Sequence, residues 1–274
     1  VQSVAGEQTT GESVKRNSVA AFGGGALIGT LGGLIGLGGA EFRLPLLIGA
    51  FRFNALDAVI LNKAMSLVVV ASALPFRAGT IPFTALLDKW QIIVNLLAGS
   101  ILGAWGGAGL AVRLKSGTLY RIIALLLLFI AVVLLFGHDA ASRGTTLFTG
   151  PLLVATGVMA GFGIGVVASL LGVAGGELLI PTLVLLFGVD IKLAGSLSLA
   201  ISLPTMLTAF TRYSRDKSFV VLGNHRGFVL VMALGSFAGT FLGGQLLNVV
   251  SGRLLLPLLS LLLVLSSIKI WKHR

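Results

Sequence analysis

Glu41, Arg43, Lys63 and Glu177 stand inside long apolar stretches of this 274-residue chain. An ionisable side chain within a bilayer is expensive, so each of these is a candidate for function. The two carboxyls can load and release a proton. Alternatively, each can accept hydrogen bonds from the N–H groups of a helix start, as a structural cap. The two cations can attract an anion, or pair with Glu41 and tie neighbouring elements together. Asn62 lies beside Lys63, and Ser66, Ser198 and Ser202 offer hydroxyls at similar depth. The simpler role for those serines is a bond to a carbonyl of their own helix.

The setting is apolar throughout. Hydrophobic residues make up 56% of the chain and charged residues 11%, against roughly 25% charged in an average soluble protein. A soluble domain of this length could not cover itself with so little charge. Ordinary soluble enzymes, disordered chains and nucleic-acid binders are thereby excluded, and an integral membrane protein is implied. A span takes about 20 apolar residues, so about eight spans would use roughly 160 residues and leave only short loops. The formal net charge of +11 fits basic loops that set membrane orientation. With no cysteine, thiolate metal sites and cysteine nucleophiles are ruled out. His138, His225 and His273 lack metal-ligand spacing, and no P-loop, HExxH or GxSxG motif occurs. No cofactor and no metal are expected, and the chain is not read as an enzyme.

A shift of 136 residues superposes the two halves of the sequence. It places Gly25 on Gly161, Gly36 on Gly172, Gly39 on Gly175, Glu41 on Glu177 and Pro45 on Pro181. Farther on, Ser66 falls on Ser202, Gly99 on Gly235 and Gly107 on Gly243. The predicted fold is therefore an all-α polytopic membrane protein built from two homologous halves of about four transmembrane helices each. Residues 1–17 read as a disordered leader, 18–137 as the first repeat, 138–147 as a linker, 148–270 as the second repeat and 271–274 as a cytoplasmic tail. The first element of each half runs from Ser18 to Phe51 and from Pro151 to Phe187. The second covers about Asn54–Pro75 and Ile191–Phe210, the third about Trp90–Val112 and Gly227–Val249, the fourth about Leu119–Phe136 and Leu254–Ile270.

A straight helix as long as the first element would reach on the order of 50 Å, against a hydrocarbon core of about 30 Å. It must break, tilt or fold back. The break belongs at Gly36-Leu37-Gly38-Gly39-Ala40-Glu41 and at Gly172-Val173-Ala174-Gly175-Gly176-Glu177, each followed by a proline. Interrupted apolar segments at matching places in two halves point to a transporter binding site. An unwound stretch survives in a membrane only where protein buries it or where it lines a wet cavity. A helix that starts just beyond it presents a partly positive end, suited to an anion. The other reading of these glycines is close helix packing. That is also the reading of the Gly-x-x-x-Gly ladders at Gly99–Gly107 and Gly235–Gly243. Trp90, Trp105 and Trp271 are candidate interface anchors.

If the first element forms a hairpin, the halves are inverted relative to one another; if it crosses once, they are parallel. The length of the element favours inversion. In both cases basic loop residues concentrate on the side of the termini, which places both termini in the cytoplasm.

The paired element Gly36–Pro45 and Gly172–Pro181 resembles the signature of the TauE/SafE sulfite exporter family. So do Ala64-Met65-Ser66, Ala200-Ile201-Ser202 and the glycine-rich third elements, and the likeness covers nearly all of residues 18–270. The sequence departs from that pattern at Ala40, where a third glycine is common, and at Arg43, where an apolar residue is usual. The resemblance implies a bacterial-type plasma-membrane transporter of sulfite, organosulfonates or related small sulfur-containing anions. On that basis the expected substrate site comprises Gly38, Gly39, Ala40, Arg43, Asn62, Lys63, Ser66, Gly175, Gly176, Ser198 and Ser202, with Glu41 and Glu177 as proton-coupling candidates. The expected partners are a small anion and the lipid bilayer; a homodimer is compatible with the sequence, and nucleic acid is not a partner. A passive anion channel and a non-transporting membrane scaffold are the competing readings.

Overall fold

A computed structural model describes residues 18–115, 149–214 and 220–246, with isolated positions between 117 and 128 and at 264 and 268. All regular structure among the described residues is helical: α1 (Ser18–Ile35), α2 (Ala40–Gly49), α3 (Ala55–Arg77), α4 (Phe83–Leu87), α5 (Trp90–Arg113), α6 (Gly150–Leu171), α7 (Gly176–Phe187), α8 (Ile191–Ser214), α9 (Val220–Asn224) and α10 (Arg226–Leu246). Among the described residues, six helices (α1, α3, α5, α6, α8 and α10) are long and apolar enough to cross a membrane. The expected fourth element of each half, the leader, the 138–147 linker and the tail lie outside the described residues or, for 119–136 and 254–270, almost wholly so. The connections after α3 and α8 contain the short helices α4 and α9.

Local chemistry sets the helix ends. Asn54 caps α3 by accepting the Asp57 N–H at 2.9 Å, and Asp57 adds an acidic group to the first turn. α7 ends on Gly188 at φ 64°, whose N–H reaches the Val184 carbonyl at 3.1 Å. Between α1 and α2 the helix is interrupted over 36–39, where Gly36, Gly38 and Gly39 all have positive φ. The chain then turns back along itself. Gly39 lies against Ile28, and Gly24 lies beside Leu46. α6 and α7 do the same, with Gly175 against Ile164 and Gly157 beside Phe187.

Two long interfaces organise the bundle. α1 packs along α10, with Gly29 against the Ser236 backbone and Gly239 against the Ala26 backbone. α5 packs along α6, with Gly165 against Ser100 and Gly103 against Phe162. Contacts advance along both members of each pair, so α1 runs with α10 and α5 runs with α6. α3 starts near α10, where the Phe53 and Phe228 rings are 5.5 Å apart, and ends near the end of α1. It therefore runs with α1 and α10. α8 starts where α3 ends and passes back beside α5, so it runs the other way. Three long helices point one way and three the opposite way. Leu102, Met159, Leu230 and Leu234 cover the outer faces, where lipid is their natural solvent.

The α5–α6 contact gives a direct stability test. A β-carbon on Gly103 would run into the Phe162 carbonyl, whereas one on Gly106 meets open space. Gly103→Ala is expected to destabilise the detergent-solubilised protein by about 1–3 kcal/mol through overpacking. Gly106→Ala should be neutral or stabilising by about 0.5–1 kcal/mol, as alanine replaces glycine in a helix. Thermal unfolding of the two variants measures this, and equal losses would contradict the interface.

Candidate functional site

The two interrupted stretches meet. A β-carbon on Gly38 would lie 3.0 Å from the Ala174 side chain, and one on Gly176 would lie 3.0 Å from the Leu37 backbone. Gly36 abuts the backbone of Gly195 on α8, and Gly172 abuts that of Val59 on α3. Backbone packs on backbone at these points, which leaves no room for larger residues.

α2 and α7 both start at this junction. Gly39 (φ 65°) and Gly175 (φ 85°) occupy their N-cap positions, and as glycines they bring no side-chain cap of their own. The first N–H groups of a helix have no partner within the helix, and together they carry a partial positive charge. A glycine at the cap leaves them to a ligand, because it brings no oxygen of its own.

The polar side chains gather around the same junction. The Asn62 amide donates to the Ala40 carbonyl at 2.9 Å and to the Leu171 carbonyl at 3.4 Å, so it bridges the start of α2 and the end of α6. Its Oδ1 is buried without a hydrogen-bond partner. Ser198 donates to the Gly36 or Gly195 carbonyl, each 2.8 Å away, so it combines the expected own-helix bond with a reach into the other half. Lys63 is 1% exposed, and its Nζ donates to the Ala168 carbonyl at 3.0 Å and to that of Val173 at 2.9 Å. These acceptors form the C-terminal end of α6, where the helix dipole is negative. An ammonium has three N–H donors, and two are used here. Glu177, fully buried in the first turn of α7, interacts electrostatically with Lys63. Glu41 occupies the first turn of α2; its side chain lies outside the described part.

Arg43 is equally buried. It donates to Ser66 Oγ at 3.0 Å and to Ser236 Oγ at 3.2 Å, linking α2 to α3 and α10. The Ser202 hydroxyl is buried and has no hydrogen-bond partner. The reason is visible in the numbering: 136 residues beyond Arg43 stands Leu179, so the second half has no guanidinium to offer it. Gly38, Gly39, Ala40, Asn62, Lys63, Gly175, Gly176 and Ser198 are thus brought together at the junction. Arg43 and Ser66 form a separate link, and Ser202 sits midway along α8.

Sequence reasoning missed Arg77. Arg77 closes α3 and is 1% exposed. It also missed the Ser100–Thr205 hydrogen bond of 2.7 Å between α5 and α8. Nothing local marks either, because an arginine at the end of an apolar helix ordinarily snorkels to the interface. Trp90 is exposed beside Lys89 as an anchor should be, while Trp105 lies under the Arg212 guanidinium, 5.5 Å from the ring centroid. Trp271 lies outside the described residues.

A buried lysine and two glycine-capped helix starts at one junction can hold a small anion. Residues 16–270 match the family model described as Sulfite exporter TauE/SafE. No curated protein and no solved structure matches the chain. The match spans nearly the whole sequence, and the long apolar helices agree with it: this multi-pass membrane protein belongs to the TauE/SafE sulfite exporter family, whose members are transporters.

Proposed function

We propose that the protein is a secondary transporter of a small sulfur-containing oxyanion, sulfite or an organosulfonate, bound where the two interrupted stretches meet. The observation that carries this reading is the pair of glycine-capped starts of α2 and α7 beside the buried Lys63. The N–H groups of both starts would donate to the anion's oxygens, and the remaining donor of Lys63 would face it. Ser202 and Arg43 are the next donors outward.

The two halves are read as inverted repeats of one unit, 18–137 and 148–270. The contacts supporting this are reciprocal. Gly29 meets Ser236 as Gly165 meets Ser100, and Gly239 meets Ala26 as Gly103 meets Phe162. Each pair becomes the other by moving one residue forward by 136 and its partner back by 136. Gly38 and Ala174 are partners under the same operation, so they sit on the two-fold axis. α3 and α8 are counterparts that run in opposite directions, which puts that axis in the membrane plane. Transport is then relative movement of the halves about a central site, with both termini on the cytoplasmic side.

Glu177 is the proton carrier in this scheme. Its carboxylate competes with the anion for Lys63 and for the start of α7, and protonation removes the competitor. The proton and the anion therefore bind together and move in the same direction. Uptake of labelled sulfite, sulfonates and carboxylates into proteoliposomes, with and without a pH gradient, tests the proposal. Saturable sulfite or sulfonate flux that accumulates with the proton gradient is expected. Flux without saturation and indifferent to the gradient would make the protein a passive channel, and no flux at all would overturn transport.

A further inference from the structure

We infer that Arg77 is a latch that closes one face of the protein, tying the end of α1 to the start of α8. The inference rests on the transport reading above. Arg77 turns inward from the last turn of α3. Its Nη1 donates to the Gly33 carbonyl at 3.1 Å and to that of Leu34 at 3.0 Å. Its Nη2 donates to the Lys192 carbonyl at 3.0 Å, and its Nε to Ser196 Oγ at 3.1 Å.

Those acceptors fall into two groups. Gly33 and Leu34 belong to the negative end of α1, and Lys192 and Ser196 to the first turns of α8. The planar fork of a guanidinium has five N–H donors in fixed directions, and here three elements supply or satisfy them. Each of its three nitrogens is engaged by the protein, so Arg77 is not an anion ligand. Its place in the fold gives it another task. It lies between the Gly36–Gly195 contact and the membrane face on which α3 ends. A solute entering from that face must separate α1, α3 and α8, the three elements Arg77 holds. With the termini in the cytoplasm, that is the external face.

The opposite face is built differently. The residue 136 positions beyond Arg77 is Tyr213, so the second half does not repeat this arginine at the matching position. The end of α6 is held instead by Lys63, deeper in the protein. The tie must be broken for the face where α3 ends to open, which biases the resting state towards the opposite face.

The chain has no cysteine, so a single Ser202→Cys change gives a clean, nearly isosteric reporter near the middle of α8. Its reaction with a membrane-impermeant thiol reagent is measured from each face in sealed proteoliposomes, with Arg77 intact and with Arg77→Gln, Arg77→Lys or Ser196→Ala. Arg77→Gln is expected to speed labelling from the face where α3 ends by about tenfold, the shift produced by about 1.4 kcal/mol. Arg77→Lys and Ser196→Ala should give smaller increases, and labelling from the other face should not rise. Unchanged labelling in folded variants overturns the latch, as does an equal rise from both faces, which would mark a merely structural tie. If Arg77→Gln does not fold, Ser196→Ala decides by the same comparison, since it removes one hydrogen bond only. Anion flux measured in parallel on the protein with Ser202 unchanged separates the two ideas. Flux with unchanged labelling removes the latch alone, and its absence with face-specific labelling removes the transport reading alone.

Discussion

Lys63→Leu is expected to lower anion flux per folded molecule by about a hundredfold or more, equivalent to roughly 2.7 kcal/mol of lost substrate interaction. Leucine is the natural choice, because Leu199 occupies the matching place in the other half. The substitution also removes two hydrogen bonds to the end of α6 and takes away the cation that balances Glu177. Breaking a buried charge pair in this way costs about 3–5 kcal/mol of stability, because one charge is left behind. The second variant, Lys63→Leu with Glu177→Gln, removes both charges and should recover much of that stability. It should not recover transport. Thermal unfolding and proteoliposome flux on the same preparations check the two halves of the statement. If the double variant regains flux along with stability, Lys63 holds α6 in place and does not meet the anion.

Glu177→Gln alone is expected to uncouple the protein from the proton gradient. A glutamine keeps the size and the polarity of the site without a titrating proton. With a sulfonate as the probe, whose own charge is fixed, wild-type affinity should rise as pH falls, since protonation of Glu177 removes a negative charge from the site. The glutamine variant should lose that rise in affinity. On the alkaline side it should bind about tenfold more tightly than wild type, as relief of about 1.4 kcal/mol of repulsion would give. Flux down a concentration gradient should persist, and accumulation against one should vanish. A variant that still accumulates sulfonate with the proton gradient would move the coupling role elsewhere, with Glu41 the first candidate. A variant that keeps the wild-type pH profile of binding would do the same.

The membrane setting and the helical elements were legible because each depends on near neighbours in the chain. An apolar run long enough to cross a bilayer must satisfy its own backbone, and a helix does so with bonds four residues apart. The stop after Ile35 is of the same kind: Gly36, Gly38 and Gly39 adopt positive φ at no steric cost, which other residues cannot do. Lys63 and Arg43 stood out as charges in apolar runs, and both are buried. Their partners did not stand out. Lys63 reaches carbonyls 105 and 110 positions away, at the end of α6, while the side chain of Glu41, the ion-pair partner the sequence offers both cations, lies outside the described part. Arg43 reaches a serine 193 positions away, on α10.

Arg77 marks the boundary most clearly. In sequence it is the last residue of an apolar helix, free to turn towards water, and only the arrival of α1 and α8 at that corner turns it inward. The unpartnered Ser202 hydroxyl is a similar case, since only the packing around it decides whether a donor or acceptor comes within reach. The amino-acid order alone established a membrane-embedded helical protein of the sulfite exporter kind, with glycines where helices stop or touch. Packing established which polar atoms share a site, because a helix chooses its own hydrogen bonds locally but acquires its neighbours only when the whole bundle closes.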